Sequence, residues 1–109
     1  MGISGFYISC NAKMKSAAVD LTLGKADRNA NKSAFDYLYM RKDEIEKTLG
    51  VHVDWWRFEG KSSYVSYHID GVGIDDETSW TQMAKFHAEW SKKFYDVFVP
   101  LLQQWNSNR

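Results

Sequence analysis

At 109 residues the chain has room for one domain and one core, and its 44% hydrophobic, 16% aromatic and 26% charged residues exclude a disordered chain. Fourteen Lys and Arg balance fourteen Asp and Glu, so no global field draws in a polyanion, and a dedicated nucleic-acid binder is disfavoured unless charge is concentrated locally. The single Cys10 excludes an internal disulfide, and no apolar run approaches the roughly 20 residues that cross a bilayer, so a cytoplasmic chain away from membranes is expected.

The opening residues lack a signal peptide's basic start, and Phe6 stands where a myristoylation motif wants Ser or Thr. Residues 3–10 alternate Ile3, Gly5, Tyr7 and Ser9 with Ser4, Phe6, Ile8 and Cys10, which predicts a strand. A polar turn over 11–16 leads to a second strand over 18–23, where Val19, Leu21 and Leu23 oppose Ala18, Asp20 and Thr22. A first hairpin follows. Residues 24–31 then offer Asp27, Asn29 or Asn31 as helix caps. One helix is expected from there to Leu49, with Phe35, Leu38, Ile45 and Leu49 inward, Asp43, Glu44, Glu46 and Lys47 on the wet side, and Gly50 as its left-handed cap.

The stretch 51–70, VHVDWWRFEGKSSYVSYHID, reads as a second hairpin turning at Glu59-Gly-Lys-Ser-Ser63, with Gly60 available for a positive φ. Period-2 reading sends Val53, Trp55, Val65, Tyr67 and Ile69 to the core and leaves Trp56, Phe58, Tyr64 and His68 on an open face flanked by Arg57 and Lys61. Residues 70–79 form a flexible link in which Ser79 and Gln82 fit a capping box. The last helix carries a heavy stripe from Trp80, Met83, Ala84 and His87 through Trp90, Phe94 and Phe98 to Trp105, and Pro100 is expected to bend or interrupt it. The fold expected is α+β: a two-layer sandwich of a four-stranded antiparallel sheet with two helices on one face, in the order β-β-α-β-β-α over residues 1–109.

Motifs that carry chemistry are sparse. Asp54 with Glu59-Gly-Lys61 has the residue types of a PD-(D/E)XK magnesium site, but no Pro precedes Asp54, the gap is short and the triplet sits at a turn. His52 and His68 fall on one alternating set without a close third ligand, His87 reads as a partly buried core histidine, and Cys10 as a buried small hydrophobe. No phosphate loop, serine elbow or HExxH occurs, so no catalytic residue, metal, cofactor or small-molecule substrate is inferred. The aromatic face remains, with Trp56, Phe58, Tyr64 and His68 beside Arg57 and Lys61 as candidate binding residues. Such a face serves protein interfaces, and it equally serves single-stranded nucleic acids, where stacking contributes about 1–3 kcal/mol per base.

The segment NKSAFDYL (31–38), then KDEIE (42–46), Leu49-Gly50, Val53-Asp-Trp55 and the late Trp80, Phe94 and Phe98, resembles the bacterial and archaeal family called domain of unknown function 4268. The resemblance implies no established activity. Family members often follow a nuclease-like domain of the restriction type, which implies a defence or DNA-processing setting, with any nuclease chemistry outside this C-terminal module. Ser62-Ser-Tyr-Val65 stands where many members carry basic residues, which weakens a nucleic-acid role. The matched apolar residues Phe35, Leu38, Ile45, Leu49, Val53 and Trp55 have core spacing, so the signature reads as structural. The functional expectation is a non-enzymatic interaction module, a homodimer or a chain docked to a DNA-processing partner through the aromatic face; the alternative is single-stranded nucleic-acid binding there.

Overall fold

A computed structural model describes residues 5–73 and 77–107. The elements are β1 (Phe6–Ala12), β2 (Ser16–Leu23), α1 (Arg28–Tyr39), α2 (Lys42–Leu49), β3 (Asp54–Trp56), β4 (Ser63–Asp70), a 3-10 turn (Glu77–Ser79) and α3 (Trp80–Ser107). The class is α+β. The four strands form one antiparallel sheet in the order β1-β2-β4-β3, so the two hairpins meet along β2 and β4.

Register explains which strand residues are buried. Phe6 lies opposite Leu23, Ile8 opposite Leu21, Leu21 opposite Val65 and Val19 opposite Tyr67. These side chains share one face and pack with Phe35, Leu38, Phe94, Phe98 and Leu102 from α1 and α3. The opposite face carries Tyr7, Asp20, Ser66, His68, Tyr64, Asp54 and Trp56. Full burial of one Phe or Leu contributes about 1.5–3 kcal/mol, so this one-sided apolar set fixes which way the sheet faces.

Several expectations need correction. One helix over 31–49 is in fact two. Tyr37, Leu38, Tyr39 and Met40 form an apolar run with no helical period, and the chain breaks at Met40 and Arg41, whose N–H groups bond Asp36 and Leu38 carbonyls. The break lets α2 turn Ile45, Leu49 and Glu46 inward. The order β-β-α-β-β-α therefore gains a third helix. Gly50 does cap α2 at φ 79°, and Asp27 alone of its three candidates caps α1, accepting from the Asn29 N–H at 2.9 Å.

The second hairpin is also shorter than its alternation suggests, because β3 spans only Asp54–Trp56. Trp80 is exposed and the buried stripe of α3 starts at Met83. The helix runs through Pro100, which lies on its wet side, where the carbonyl left without a donor can be hydrated. At 1.5 Å per residue its 28 residues span about 42 Å, most of the 46 Å long dimension of the molecule. Of the expected link, Val72 and Gly73 are buried, and residues 74–76 lie outside the described residues, as do Ile3 and Ser4 of the first strand. Ser79 is buried and exchanges 3.0 Å hydrogen bonds with both backbone groups of Gly73.

Candidate functional site: a clamped aromatic hairpin

The rings of the second hairpin gather at the end of β3. Trp56 lies opposite Tyr64 in the ladder. Phe58 stacks on Trp56 with centroids 5.8 Å apart and planes 11° off parallel, and meets Tyr64 edge-on at 5.7 Å. Trp56 and Phe58 remain 47% and 53% exposed. The positive φ of this turn belongs to Phe58, at 48°, and not to Gly60. A non-glycine residue in the left-handed region costs roughly 1–2 kcal/mol, so something must hold it there.

What holds it is a set of polar side chains from α1. Lys32 is only 5% exposed, and its Nζ donates to the Arg57 carbonyl at 2.5 Å, the Ser62 carbonyl at 2.9 Å and Ser63 Oγ at 2.7 Å. All three ammonium protons are used, and they span both sides of the turn that carries Phe58. Burial, then the charges of Arg28 and Arg57, push the Lys32 ammonium below its ordinary pKa. Asn31, one turn position earlier, is fully buried and bonds both backbone groups of Lys25 and the Lys61 carbonyl. Asp36 receives Arg57 through two hydrogen bonds of 3.0 and 3.2 Å.

The other end of the hairpin is held from α2. Glu46, expected on the wet side, is buried, and it accepts from the Val53 N–H at 3.0 Å and from Trp55 Nε1 at 3.4 Å, with His52 Nδ1 at 3.2 Å. Burial pushes its carboxyl up, but those hydrogen bonds outweigh it and hold the pKa below the ordinary carboxylate value. Trp55 is half-buried, edge-on to Phe35 and Tyr39. Four polar members of the sequence signature, Asn31, Lys32, Asp36 and Glu46, thus clamp one hairpin. They were missed because a helical wheel sorts polar residues outward; their signal was clustering in the very segments that carry the family likeness.

The six predicted binding residues divide accordingly. Trp56, Phe58 and Tyr64 come together. Arg57 is committed to Asp36, and Lys61 is exposed at the turn with its carbonyl bound by Asn31. His68 lies further along the open face, its Nδ1 3.3 Å from Asp54 and its Nε2 3.9 Å from Asp70. Beside Trp56 the face dips into a concavity of about 390 Å³ lined by Asp20, Asp54 and Asp70, with Lys13 the cation among its lining residues. Asp20 is bonded there by Asn11 and Ser66.

The remaining candidates take ordinary roles. His52 and His68 address different carboxylates, and Glu59 pairs with Arg28 whereas Asp54 pairs with His68. No group of three or more His, Cys, Asp or Glu suited to a metal occurs among the described residues. Half-buried His87 bonds the Asn11 carbonyl through Nε2 at 2.9 Å. Cys10 is exposed rather than buried, because β1 is an edge strand, and partial burial followed by Asp20 raises its thiol pKa. No helix among the described residues is long and apolar enough to cross a membrane.

Fold and site together define a small α+β domain whose helices clamp a strained, ring-bearing hairpin. The chain belongs to the family described as Domain of unknown function (DUF4268), whose model matches residues 1–102. No curated protein and no solved structure matches the chain.

Proposed function

We propose that the chain is a cytoplasmic, non-enzymatic interaction module that docks a partner protein through the Trp56, Phe58 and Tyr64 corner. One observation carries this reading: Phe58 packs against both Trp56 and Tyr64, and the Trp56 and Phe58 rings stay exposed, while Lys32 holds Phe58 in a backbone conformation that costs energy. A pre-ordered aromatic corner loses little conformational entropy on binding, which is how aromatic hot spots give affinity from small areas. The reading takes the molecule as a two-layer sandwich, helices on one face of the sheet and the corner on the other, and burial concentrated on one side of the strands supports it. A nuclease or other DNA-processing protein of a defence system is the partner class that the family resemblance suggests.

Electrostatics favour a protein over single-stranded nucleic acid. Arg57 is already neutralised by Asp36, and the adjoining concavity presents Asp20, Asp54 and Asp70, which repel phosphates. A partner surface with an apolar centre and a basic rim suits these groups better. Co-purification from the source cell with tagged wild-type chain, Trp56→Ala and Phe58→Ala tests the proposal. Proteins recovered with the wild type and lost from both folded variants support it, and identical recovery with all three overturns it. Quenching of tryptophan fluorescence by single-stranded oligonucleotides at low salt, relieved by added salt, would favour the nucleic-acid reading instead.

A further inference from the structure

The two edges of the sheet are treated differently, and the difference points to a second surface. The β3 edge is only three residues long, and backbone groups on either side of it are engaged: Glu46 takes the Val53 N–H, and Lys32 with Ser63 Oγ takes the Arg57 carbonyl. Such covering is how sheets avoid pairing with foreign strands. The β1 edge has no such cover among the described residues. The tight turn bonds the Lys13 N–H to the Ser16 carbonyl, and the Gly24 N–H bonds the Gly5 carbonyl at the far end. With the register Phe6 to Leu23 through Ala12 to Ala17, alternation then aims the N–H and C=O groups of Phe6, Ile8, Cys10 and Ala12 away from β2.

The strand bearing these groups, FYISCNA, contains no charge and no proline, the two commonest devices that blunt an edge. Two exposed tyrosines flank it, Tyr7 on β1 and Tyr95 on α3, at 53% and 51% exposure. Between β1 and α3 runs a groove of about 400 Å³ lined by Tyr7, Ile8, Ser91, Lys92 and Tyr95.

We infer that the β1 edge pairs antiparallel with β1 of a second copy of this chain, joining two four-stranded sheets into one. The occupant follows from the symmetry of the outward set. Phe6, Ile8, Cys10 and Ala12 are disposed evenly about Ser9, so a two-fold axis there sets Phe6 against Ala12 and Ile8 against Cys10 of the second copy. Every outward group is then satisfied, about eight hydrogen bonds in all. Ser9 faces its own counterpart, Tyr7 faces Asn11, and no like charges meet along the seam. Because β1 and β3 are the opposite edges of the sheet, both aromatic corners stay free at the outer ends of the dimer. If the corner docks a partner as proposed above, the dimer presents it twice, and two tethered sites raise avidity without any new contact.

Sedimentation of the full chain, with cross-linking, tests the inference. The wild type is expected at twice the 12.7 kDa of the chain. The two Cys10 thiols occupy diagonal positions about 7–8 Å apart, so a short bismaleimide is expected to link them. Cys10→Pro removes an outward donor and spares the β1–β2 ladder, and Ser9→Glu sets its carboxylate between Asp20, its register partner, and the same pair of the second copy. Each is expected to halve the mass, with Ser9→Glu regaining the dimer at high salt, while Trp56→Ala remains dimeric. If Cys10→Pro fails to fold, Ser9→Glu decides alone, since it lies on the open face. A monomeric wild type at high protein concentration, a dimer that survives Ser9→Glu, or one dissolved by Trp56→Ala would overturn the edge pairing. None of these results bears on whether the corner captures a different protein.

Discussion

Replacing Lys32 with Met keeps the aliphatic stem and deletes the ammonium that ties Arg57, Ser62 and Ser63 together. The Arg57 carbonyl keeps Ser63 Oγ as a donor at 2.7 Å, so the Ser62 carbonyl is the acceptor left without this partner. An orphaned buried acceptor costs about 1–3 kcal/mol, and removing an ammonium that burial already disfavours returns part of it. The net expectation is a loss of about 1–2 kcal/mol in unfolding free energy, read by urea denaturation. Near-ultraviolet circular dichroism should change with it as Phe58 leaves the left-handed region and its stack on Trp56. A pH signature accompanies the change. The folded chain releases the Lys32 proton before the unfolded chain does, so wild-type stability gains a contribution as pH rises from that lowered value toward about 10.4, and Lys32→Met lacks it. A Met variant as stable as the wild type with an unchanged aromatic spectrum would refute the clamp.

Two further predictions concern the same hairpin. Glu46 has a depressed folded pKa, so its contribution is complete above the unfolded value of about 4.3 and is lost as pH falls through the folded one; the gap in melting temperature between wild type and Glu46→Gln should be wide at pH 7 and narrow at pH 3, and a constant gap would count against it. At position 58, Phe58→Gly should be more stable than Phe58→Ala by about 1 kcal/mol, since only glycine occupies a positive φ without penalty. The reverse order in denaturation would mean that the backbone there relaxes on substitution.

Much of the architecture is legible from alternation and helical spacing. Val19, Leu21, Leu23, Val65, Phe94 and Phe98 reach the core because a period of two or 3.6 leaves apolar side chains only one dry direction. What periodicity hides is polar chemistry turned inward. Lys32 and Glu46 are buried because a neighbouring hairpin offers carbonyls and N–H groups at their tips, a long-range fact with no local pattern. The helix break at Met40 was equally hidden, since an apolar run without period supports a continuous helix as readily as a turn. Cys10 went astray for a third reason: it has the right parity for burial but sits on an edge strand, and strand order is not written in the alternation.

The corner remains the centre of the account, and a photo-crosslinking amino acid at position 58, introduced in the source cell with position 44 on the exposed side of α2 as the control, tests it most directly. The account predicts a covalent adduct between position 58 and a protein of different sequence, lost when Trp56 is also replaced by Ala and absent from position 44. Adducts to nucleic acid, or the same products from both positions, would contradict it.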